Sequence, residues 1–305
     1  MGRLIARLAV GLLVLAGPAA AAEPMALTEV AAGAFVRHGI DQDATAENGD
    51  AIANIGFVIG RDAVAVIDPG GSRTDGERLR AAILARTERP IRYVIMTHFH
   101  PDHVFGAIAF RPDNPVFVGH VRMPGAMAAR GTHDRHRLED LLGHDEAGDF
   151  VAPGQLVEGR TEIDLGARVL VLDAHGPAHT GTDLTVFDRS AGLLWAGDLL
   201  FVGRVPAIDG SVTGWLRELE VLQALPARLA VPGHGPVSVA WPAAAADERR
   251  YLETLVRETR AVIAAGGDIE RAIATVGQGE RGKWTLFDDY NGRNVTEAFK
   301  QLEWE

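Results

Sequence analysis

Four side chains able to hold a metal ion fall within six positions: His98, His100, Asp102 and His103, in the run Thr97-His98-Phe99-His100-Pro101-Asp102-His103. The apolar stretch Ile91 to Met96 directly precedes them and reads as a buried strand, so the run sits at a strand end. In an extended segment, side chains two residues apart point the same way, and His98 and His100 can therefore reach one ion together. Pro101 then turns the chain and sends Asp102 and His103 elsewhere. The chain has no cysteine, so a metal site must be built from His, Asp and Glu. Imidazole and carboxylate are the zinc ligands expected where thiolate is absent.

Three later positions share that context. His179 lies in Gly176-Pro-Ala-His179-Thr-Gly-Thr-Asp183, Asp198 in Leu194-Trp-Ala-Gly-Asp198 at a strand end, and His234 in Val231-Pro-Gly-His234-Gly-Pro236. Each follows a predicted strand and is flanked by Gly or Pro, which suits a loop at a sheet edge. A lone loop histidine is ordinarily just solvated; order and shared context make these ligand candidates. Asp68 and Thr97 are candidates for orienting the histidines, which usually donate their second N–H to a carboxylate or carbonyl; a turn residue at a strand end is an equal reading for Asp68. Asp183 reads as tying the loop after His179. His120 is placed near the site by position, with a plain loop histidine the simpler reading, and His133, His136 and His144 read as solvated loop residues.

The order HxHxDH, His, Asp, Gly-His-Gly resembles the metallo-β-lactamase superfamily from about Asn54 to Pro236, and Val66-Ile67-Asp68-Pro69-Gly70 resembles that family's early strand. The resemblance implies an α/β (α+β) fold, a four-layer αββα sandwich of two mixed sheets with the metal site at one edge between them. Carried over position by position, it implies that His98, His100 and His179 bind a first metal, that Asp102, His103 and His234 bind a second, and that Asp198 bridges the two. Zinc is the implied cofactor, two ions per chain, with Asp102 and Asp198 as the catalytic carboxylates. Three neutral imidazoles leave the first zinc Lewis acidic, two carboxylates partly neutralise a close metal pair, and a water between two such ions becomes hydroxide near neutral pH and supplies the nucleophile. The first metal would polarise the scissile carbonyl, the second would steady the leaving group, and Asp102 would accept or relay a proton.

Within the superfamily, lactamases with Cys at the bridging position are excluded, and Asp198 resembles the branch of glyoxalase II thioesterases, lactonases, alkylsulfatases and phosphodiesterases. The whole-chain pattern resembles the exported quinoprotein relay system zinc metallohydrolases, through Ala53-Asn54-Ile55-Gly56-Phe57, Asp209-Gly210-Ser211 before Gly214-Trp215, Pro232-Gly233-His234-Gly235, and Trp284 to Tyr290 with Asn294-Val295. That resemblance implies a periplasmic partner pathway with quinoprotein dehydrogenases, and a hydrolase of a small ester, thioester, lactone or amide-type substrate. Core packing is the favoured reading of Trp215, Trp284 and Tyr290. A glyoxalase II-like thioesterase would need a basic glutathione pocket, for which the tail offers Arg281, Lys283, Arg293 and Lys300 without a matching pattern. A persulfide dioxygenase would use one iron on two His and one Asp; seven filled positions favour two metals, although these ligands suit several ions. Against a non-catalytic metal-binding partner stand the intact Asp102 and Asp198.

The elements that must position these residues follow from periodicity. Strands are expected at 52–59 and 63–67 around a Gly60-Arg61-Asp62 turn, then at 91–96, 115–119, 168–172, 184–187, 192–196 and 228–231. Helices are expected at 75–88, with Leu79, Ile83 and Leu84 on one face, and at 213–225. Residues 122–150, rich in Arg, His, Asp and Gly, read as a lid insertion with one short helix around 136–142. After Pro242 three helices are expected, at 244–265, 268–276 and 294–302. Strands mixed with helices argue for layered α/β architecture, with a domain over 23–242 and a helical extension packed on it over 243–305.

Residues 1–22 read as a signal peptide: Arg3 and Arg7, an apolar run Leu8 to Leu15, a break at Gly17-Pro18, and small residues Ala20 to Ala22 before Glu23. The apolar run is shorter than the ~20 residues of a membrane span, so stable insertion is not expected, and without a twin-arginine pair the general secretory route to the periplasm or exterior is. A net charge of −11 over 305 residues gives no case for nucleic-acid binding; a small-molecule substrate is the expected partner.

Overall fold

The computed structural model describes residues 25–305, and the expected signal peptide lies outside them. One sheet has seven strands in sequence order: β1 (Thr28–Ala31), β2 (Ala34–Arg37), β3 (Ile55–Ile59), β4 (Val64–Ile67), β5 (Ile91–Ile95), β6 (Val116–His120) and β7 (Gln155–Val157). Pairing is antiparallel from β1 to β4 and parallel from β4 to β7. Parallel neighbours need crossovers. These are α1 (Arg73–Leu84), then α2 (Pro101–Val104) with the 3₁₀ turn Phe105–Asp113, then α3 (Met123–Leu142) with α4 (His144–Ala147).

The second sheet has the order β13 (Val239–Ala240), β12 (Leu229–His234), β11 (Leu193–Phe201), β10 (Leu184–Asp188), β9 (Val169–Ala174), β8 (Arg160–Asp164). Its β11–β12 pair is parallel, crossed by α5 (Val212–Gln223), and the others are antiparallel. After β13 come α6 (Ala246–Ala264), α7 (Ile269–Thr275) and α8 (Phe287–Leu302).

Strand parity makes the layers. In β3 and β4, Ile55, Phe57, Val64 and Val66 face Leu79 and Ile83 of α1, while Val58, Ala65 and Ile67 turn inward against Leu172, Val186 and Trp195 of the other sheet. In β11, Leu194 and Ala196 face Trp215 and Leu219 of α5, Tyr251 of α6 and Val295 of α8. Strands buried on both faces read as continuous apolar runs, which is why these central ones were legible. Two mixed sheets between helical layers give the αββα order.

The structure adds β1, β2, β7, β8 and β13, all short or at the margins of the sheets, where half-exposed residues blur the alternation. It corrects the reading of 122–150: a 20-residue helix stands where one short helix was expected, and His133 and His136 lie on it, not in a loop. Its buried face, Met123, Met127, Gly131, Asp134 and Leu138, has helical spacing but few large apolar residues, so the periodicity is faint. A Cβ at Gly131 would stand 2.9 Å from the Phe150 ring, so a larger residue there would have to displace that ring. The last helix begins at Phe287, a turn and more before the expected 294. Trp215 and Trp284 are buried in the core, whereas Tyr290 is half-buried and faces a cavity. Among the described residues no helix is long and apolar enough to cross a membrane.

One ion cluster ties α6 to the segment before α8. Buried Glu280 accepts from Arg250 Nη2 at 3.0 Å, Lys283 Nζ at 2.8 Å and the Trp284 indole N–H at 3.1 Å. Burial alone would raise its pKa, but these donors hold it down, to about 2. The folded value lies below the ~4.3 of an unfolded glutamate, so its stabilisation is complete above that pH and drains as pH falls toward 2. Glu280→Gln is therefore expected to cost about 1–3 kcal/mol at pH 7 and far less near pH 2. Urea titrations of both proteins at the two pH values check this; an equal cost at both would rule out the carboxylate as its source.

Candidate metal centre

The candidate ligands meet where the ends of β4 and β5 in one sheet approach β11 and β12 in the other. Backbone bonds pin this junction: Leu184 N–H donates to Thr97 O at 2.7 Å, and Asn54 N–H to Gly233 O at 2.7 Å. The chain after β5 is bent at Thr97–Phe99 and not extended as expected, yet the His98 and His100 rings still meet, 4.8 Å between centroids. Pro101 opens α2, which carries Asp102 and His103. Asp198 was expected at a strand end, but β11 runs on to Phe201 with irregular pairing around Gly197.

Two glycines make room for the carboxylate. Gly197 has φ +53°, and a Cβ there would stand 2.7 Å from Thr97 Oγ1. A Cβ on Gly233 would lie 1.8 Å from Asp198 Oδ1, so the β12 backbone can pass the carboxylate only as glycine.

Among the described residues two ligand-type groups form: His98, His100, His179 and Asp198 in one, Asp102, His103 and His234 in the other, each with one donor atom per residue within 4.8 Å of the rest. Asp198 faces both. Its Oδ2 is 3.3 Å from His179 Nε2 and 3.8 Å from His98 Nε2, and its Oδ1 is 3.1 Å from His103 Nε2. Asp102 Oδ2 is 3.5 Å from His103 Nε2 and 3.3 Å from His234 Nε2.

The opposite ring nitrogens are occupied elsewhere. His103 Nδ1 meets Asp68 Oδ2 at 2.8 Å, His98 Nδ1 meets Thr97 Oγ1 at 3.1 Å, and His179 Nδ1 meets Ala207 O at 2.6 Å. His234 Nδ1 lies 3.1 Å from Ile52 O and 3.2 Å from Arg204 Nη1; donation to Ile52 O is the tautomer that leaves Nε2 free. His100 is reversed: Nε2 meets Asp209 Oδ2 at 3.1 Å, and Nδ1 turns inward, 2.9 Å from His179 Nε2. Asp68 also accepts from Thr97 N–H and Oγ1–H, so it is no plain turn residue. Each ring thus has one nitrogen anchored and one aimed at the centre, the arrangement that fixes ligating histidines.

The donor set fits metal ions. Buried His98 Nε2, His103 Nε2 and Asp198 Oδ1 lack a hydrogen-bond partner, a costly state for polar atoms that a cation would relieve. Burial and the neighbouring His103 hold His98 well below the ordinary imidazole range; burial and His100 push His179 down to about 4, against Asp198. Burial also opposes charge on His103, but Asp198, Asp102 and Asp68 raise it well above that range. Burial opposes ionisation of Asp102 and Asp198, yet the surrounding histidines keep both carboxyls well below theirs.

A cavity of about 480 Å³ opens onto the cluster. Asp102 is a partly exposed carboxylate of its wall. Asp50, at φ +60°, is buried in the same wall, its pKa raised well above normal by burial and Asp102. His120 stays outside the cluster, with Nε2 3.2 Å from His175 O. Asp183 ties the His179 loop, accepting from Thr180 N–H at 2.9 Å.

Sequence reasoning missed the roles of Asp209 and Asn54. Asp209 orients His100 and is itself bridged to Arg130. Asn54 Nδ2 donates to Pro232 O, Gly235 O and Pro236 O, holding the His234 loop. Both stood in quoted motifs, but nothing in a single chain marks them as partners.

The family model described as metallo-beta-lactamase superfamily matches residues 48–234. A linear primary-alkylsulfatase of Pseudomonas sp. (strain ATCC 19151) is 24% identical over 238 residues, covering 65% of this chain and 43% of that protein. The chain therefore spans less than half of that relative. A probable metallo-hydrolase, YqgX of Bacillus subtilis (strain 168), is 28% identical over 191 residues, 60% of this chain and 85% of that one. A solved metallo-beta-lactamase from Pontibacter korlensis superposes with a TM-score of 0.62 at 17% identity, over 75% of this chain and 98% of that one, a likeness of fold.

Asp68→Asn, which keeps the size but not the charge that His103 leans on, is expected to weaken binding of one metal equivalent about 10–100-fold, read by competition with a chromophoric chelator. Gly233→Ala is expected to displace Asp198 and weaken both equivalents. Wild-type affinity in either variant would remove that residue from the centre.

Proposed function

The chain belongs to the metallo-beta-lactamase superfamily, and from that membership we propose a dinuclear zinc hydrolase of a small ester, thioester, lactone or amide-type substrate. The observation that carries this reading is Asp198, whose carboxylate lies between the two ligand groups, with Oδ2 3.3 Å from both His179 Nε2 and His234 Nε2 and Oδ1 3.1 Å from His103 Nε2. Two zinc ions there would supply Lewis acidity and a water acidified to near-neutral pKa. The chain's own contribution is positional. Asp68, Thr97, Ala207 O, Ile52 O and Asp209 fix the ring orientations. Asp102, ionised and partly exposed to the cavity, is placed to take a proton from attacking water and return it to the leaving group. Seven donors in two sets favour a metal pair over the single iron of a dioxygenase.

The site of action in this reading is the periplasm or exterior, supported by the order of charge, apolar run and small residues in 1–22. A link to quinoprotein dehydrogenases is part of the same proposal, supported by the whole-chain motif pattern.

Elemental analysis of the mature protein, residues 23–305, is expected to give about two zinc per chain; about one iron would overturn the reading. His100→Ala is expected to abolish hydrolysis and lower metal content, and Asp198→Asn to weaken metal pairing more than folding. Full activity in the first variant, or two tightly held ions in the second, would sink the assignment of that residue.

A further inference from the structure

Between β11 and α5 the chain forms a strap, residues 206–212, with the candidate ligands on one side and the C-terminal helices on the other. Its odd-numbered residues meet the ligand loop. Ala207 O accepts from His179 Nδ1 at 2.6 Å, Asp209 N–H donates to His179 O at 2.9 Å, and Ser211 N–H to Ala178 O at 2.8 Å. The Asp209 carboxylate holds His100 Nε2. Gly210 lets strap and loop close on each other, because a Cβ there would stand 2.5 Å from Ala178 O. The backbone groups of the even-numbered residues point the opposite way, as they alternate in a strand.

Two side-chain amides of α8 take those groups. Asn294 Nδ2 donates to Pro206 O at 2.6 Å, and its Oδ1 accepts from Ile208 N–H at 2.9 Å. Gln301 Nε2 donates to Gly210 O at 2.9 Å, and its Oε1 accepts from Val212 N–H at 3.0 Å. Positions 294 and 301 are about two helical turns apart and share one face, so the second amide repeats the bonds of the first further along the strap. Asn294 is 1% exposed, and it also donates to the Tyr251 hydroxyl of α6 at 2.9 Å. The rest of the buried face of α8 is largely apolar, with Phe287, Val295, Ala298, Phe299 and Leu302. A buried amide adds nothing to such packing and is costly unless fully bonded; what it adds is direction. There is also something to hold. With His179 Nδ1 donating to a carbonyl and His100 Nε2 to a carboxylate, the inward nitrogens stand 2.9 Å apart with two lone pairs opposed.

We propose that Asn294 is a positioning residue of the metal centre: through the strap it keeps the His179 and His100 rings turned toward each other, and Gln301 secures the far end. The motifs Asp209-Gly210-Ser211 and Asn294-Val295 are the two sides of this contact. The last helix thereby belongs to the site. The group of His98, His100, His179 and Asp198 depends on it, whereas His103 and His234 are anchored by Asp68 and Ile52 O. This inference rests on the metal-centre reading and not on which bond is hydrolysed.

The test compares Asn294→Asp, which sets a carboxylate oxygen against Pro206 O, with Val295→Ala, which loosens the packing of α8 and keeps the amide. Zinc alone is the probe, titrated against a chromophoric chelator. Asn294→Asp is expected to weaken one zinc equivalent about tenfold or more and to leave the other within about twofold. Val295→Ala is expected to lower the melting temperature and leave both equivalents within about twofold. Gln301→Glu, at a half-buried residue, is expected to weaken the same equivalent less, and it carries the comparison if Asn294→Asp does not fold. Combined with Asp68→Asn, which bears on His103, Asn294→Asp is expected to weaken both equivalents. Unchanged zinc affinity in Asn294→Asp, an equal loss in Val295→Ala, or only one weakened equivalent in the double variant overturns the proposal. Long-range ¹⁵N–¹H spectra of the metal-free proteins separate this from the metal reading. His179 is expected to carry its proton on Nδ1 in the wild type and in Val295→Ala, and to mix tautomers in Asn294→Asp. A wild type that holds no zinc but shows this change fells the metal centre and leaves the positioning role standing. Two tightly held zinc ions in the wild type, with the His179 tautomer unchanged in Asn294→Asp, do the reverse.

Discussion

A carboxylate buried among four imidazoles is the constraint from which the rest of this structure follows. Asp198 is 4% exposed, and a lone charge so placed would cost several kcal/mol. Its compensation comes from His98, His103, His179 and His234, and those rings can surround it only if four chain segments from two sheets arrive at one point. Gly197 and Gly233 give up their side chains for the same reason: the β11 and β12 backbones must pass within contact distance of the carboxylate and of Thr97.

Around that cluster lies a second ring of interactions whose effect is orientation. Asp68 spans Thr97 and His103, which ties the end of β4 to the loop after β5. Asn54, just before β3, holds the His234 loop through three carbonyls, so one sheet fixes the geometry of a ligand carried by the other. Asp209 links His100 to Arg130 of α3, coupling the cluster to the helix that forms the cavity wall. Donor atoms aimed inward, with their second nitrogens anchored outward, are what a preorganised metal centre requires.

The outer layers serve this arrangement by burial. Trp215 packs edge-on to His179, 5.3 Å between centroids, and Phe201 stacks on His234 at 5.0 Å. The core between β11 and helices α5, α6 and α8 therefore reaches directly to two of the candidate ligands, and excludes water from all but the cavity side.

Much of this was legible in the linear chain, for identifiable reasons. His98, His100, Asp102 and His103 announced themselves because ligand chemistry restricts residue type and strand ends restrict spacing. The central strands β3, β4 and β11 were readable because burial on two faces leaves nearly uninterrupted apolar runs. Marginal strands and the α3 helix were not: their burial is partial, and Gly131 and Asp134 on the buried face of α3 hide its period. What only tertiary structure decided is which groups meet. Asp209 against His100, Asn54 against the Pro232–Pro236 loop, and Arg137 in a shared cavity with Arg293 are separated by tens to hundreds of residues. Local sequence fixes a residue's chemistry and its element's period. Its partners are set by how the elements pack, because hydrogen bonds and ion pairs act over a few ångströms of space and carry no trace of distance along the chain.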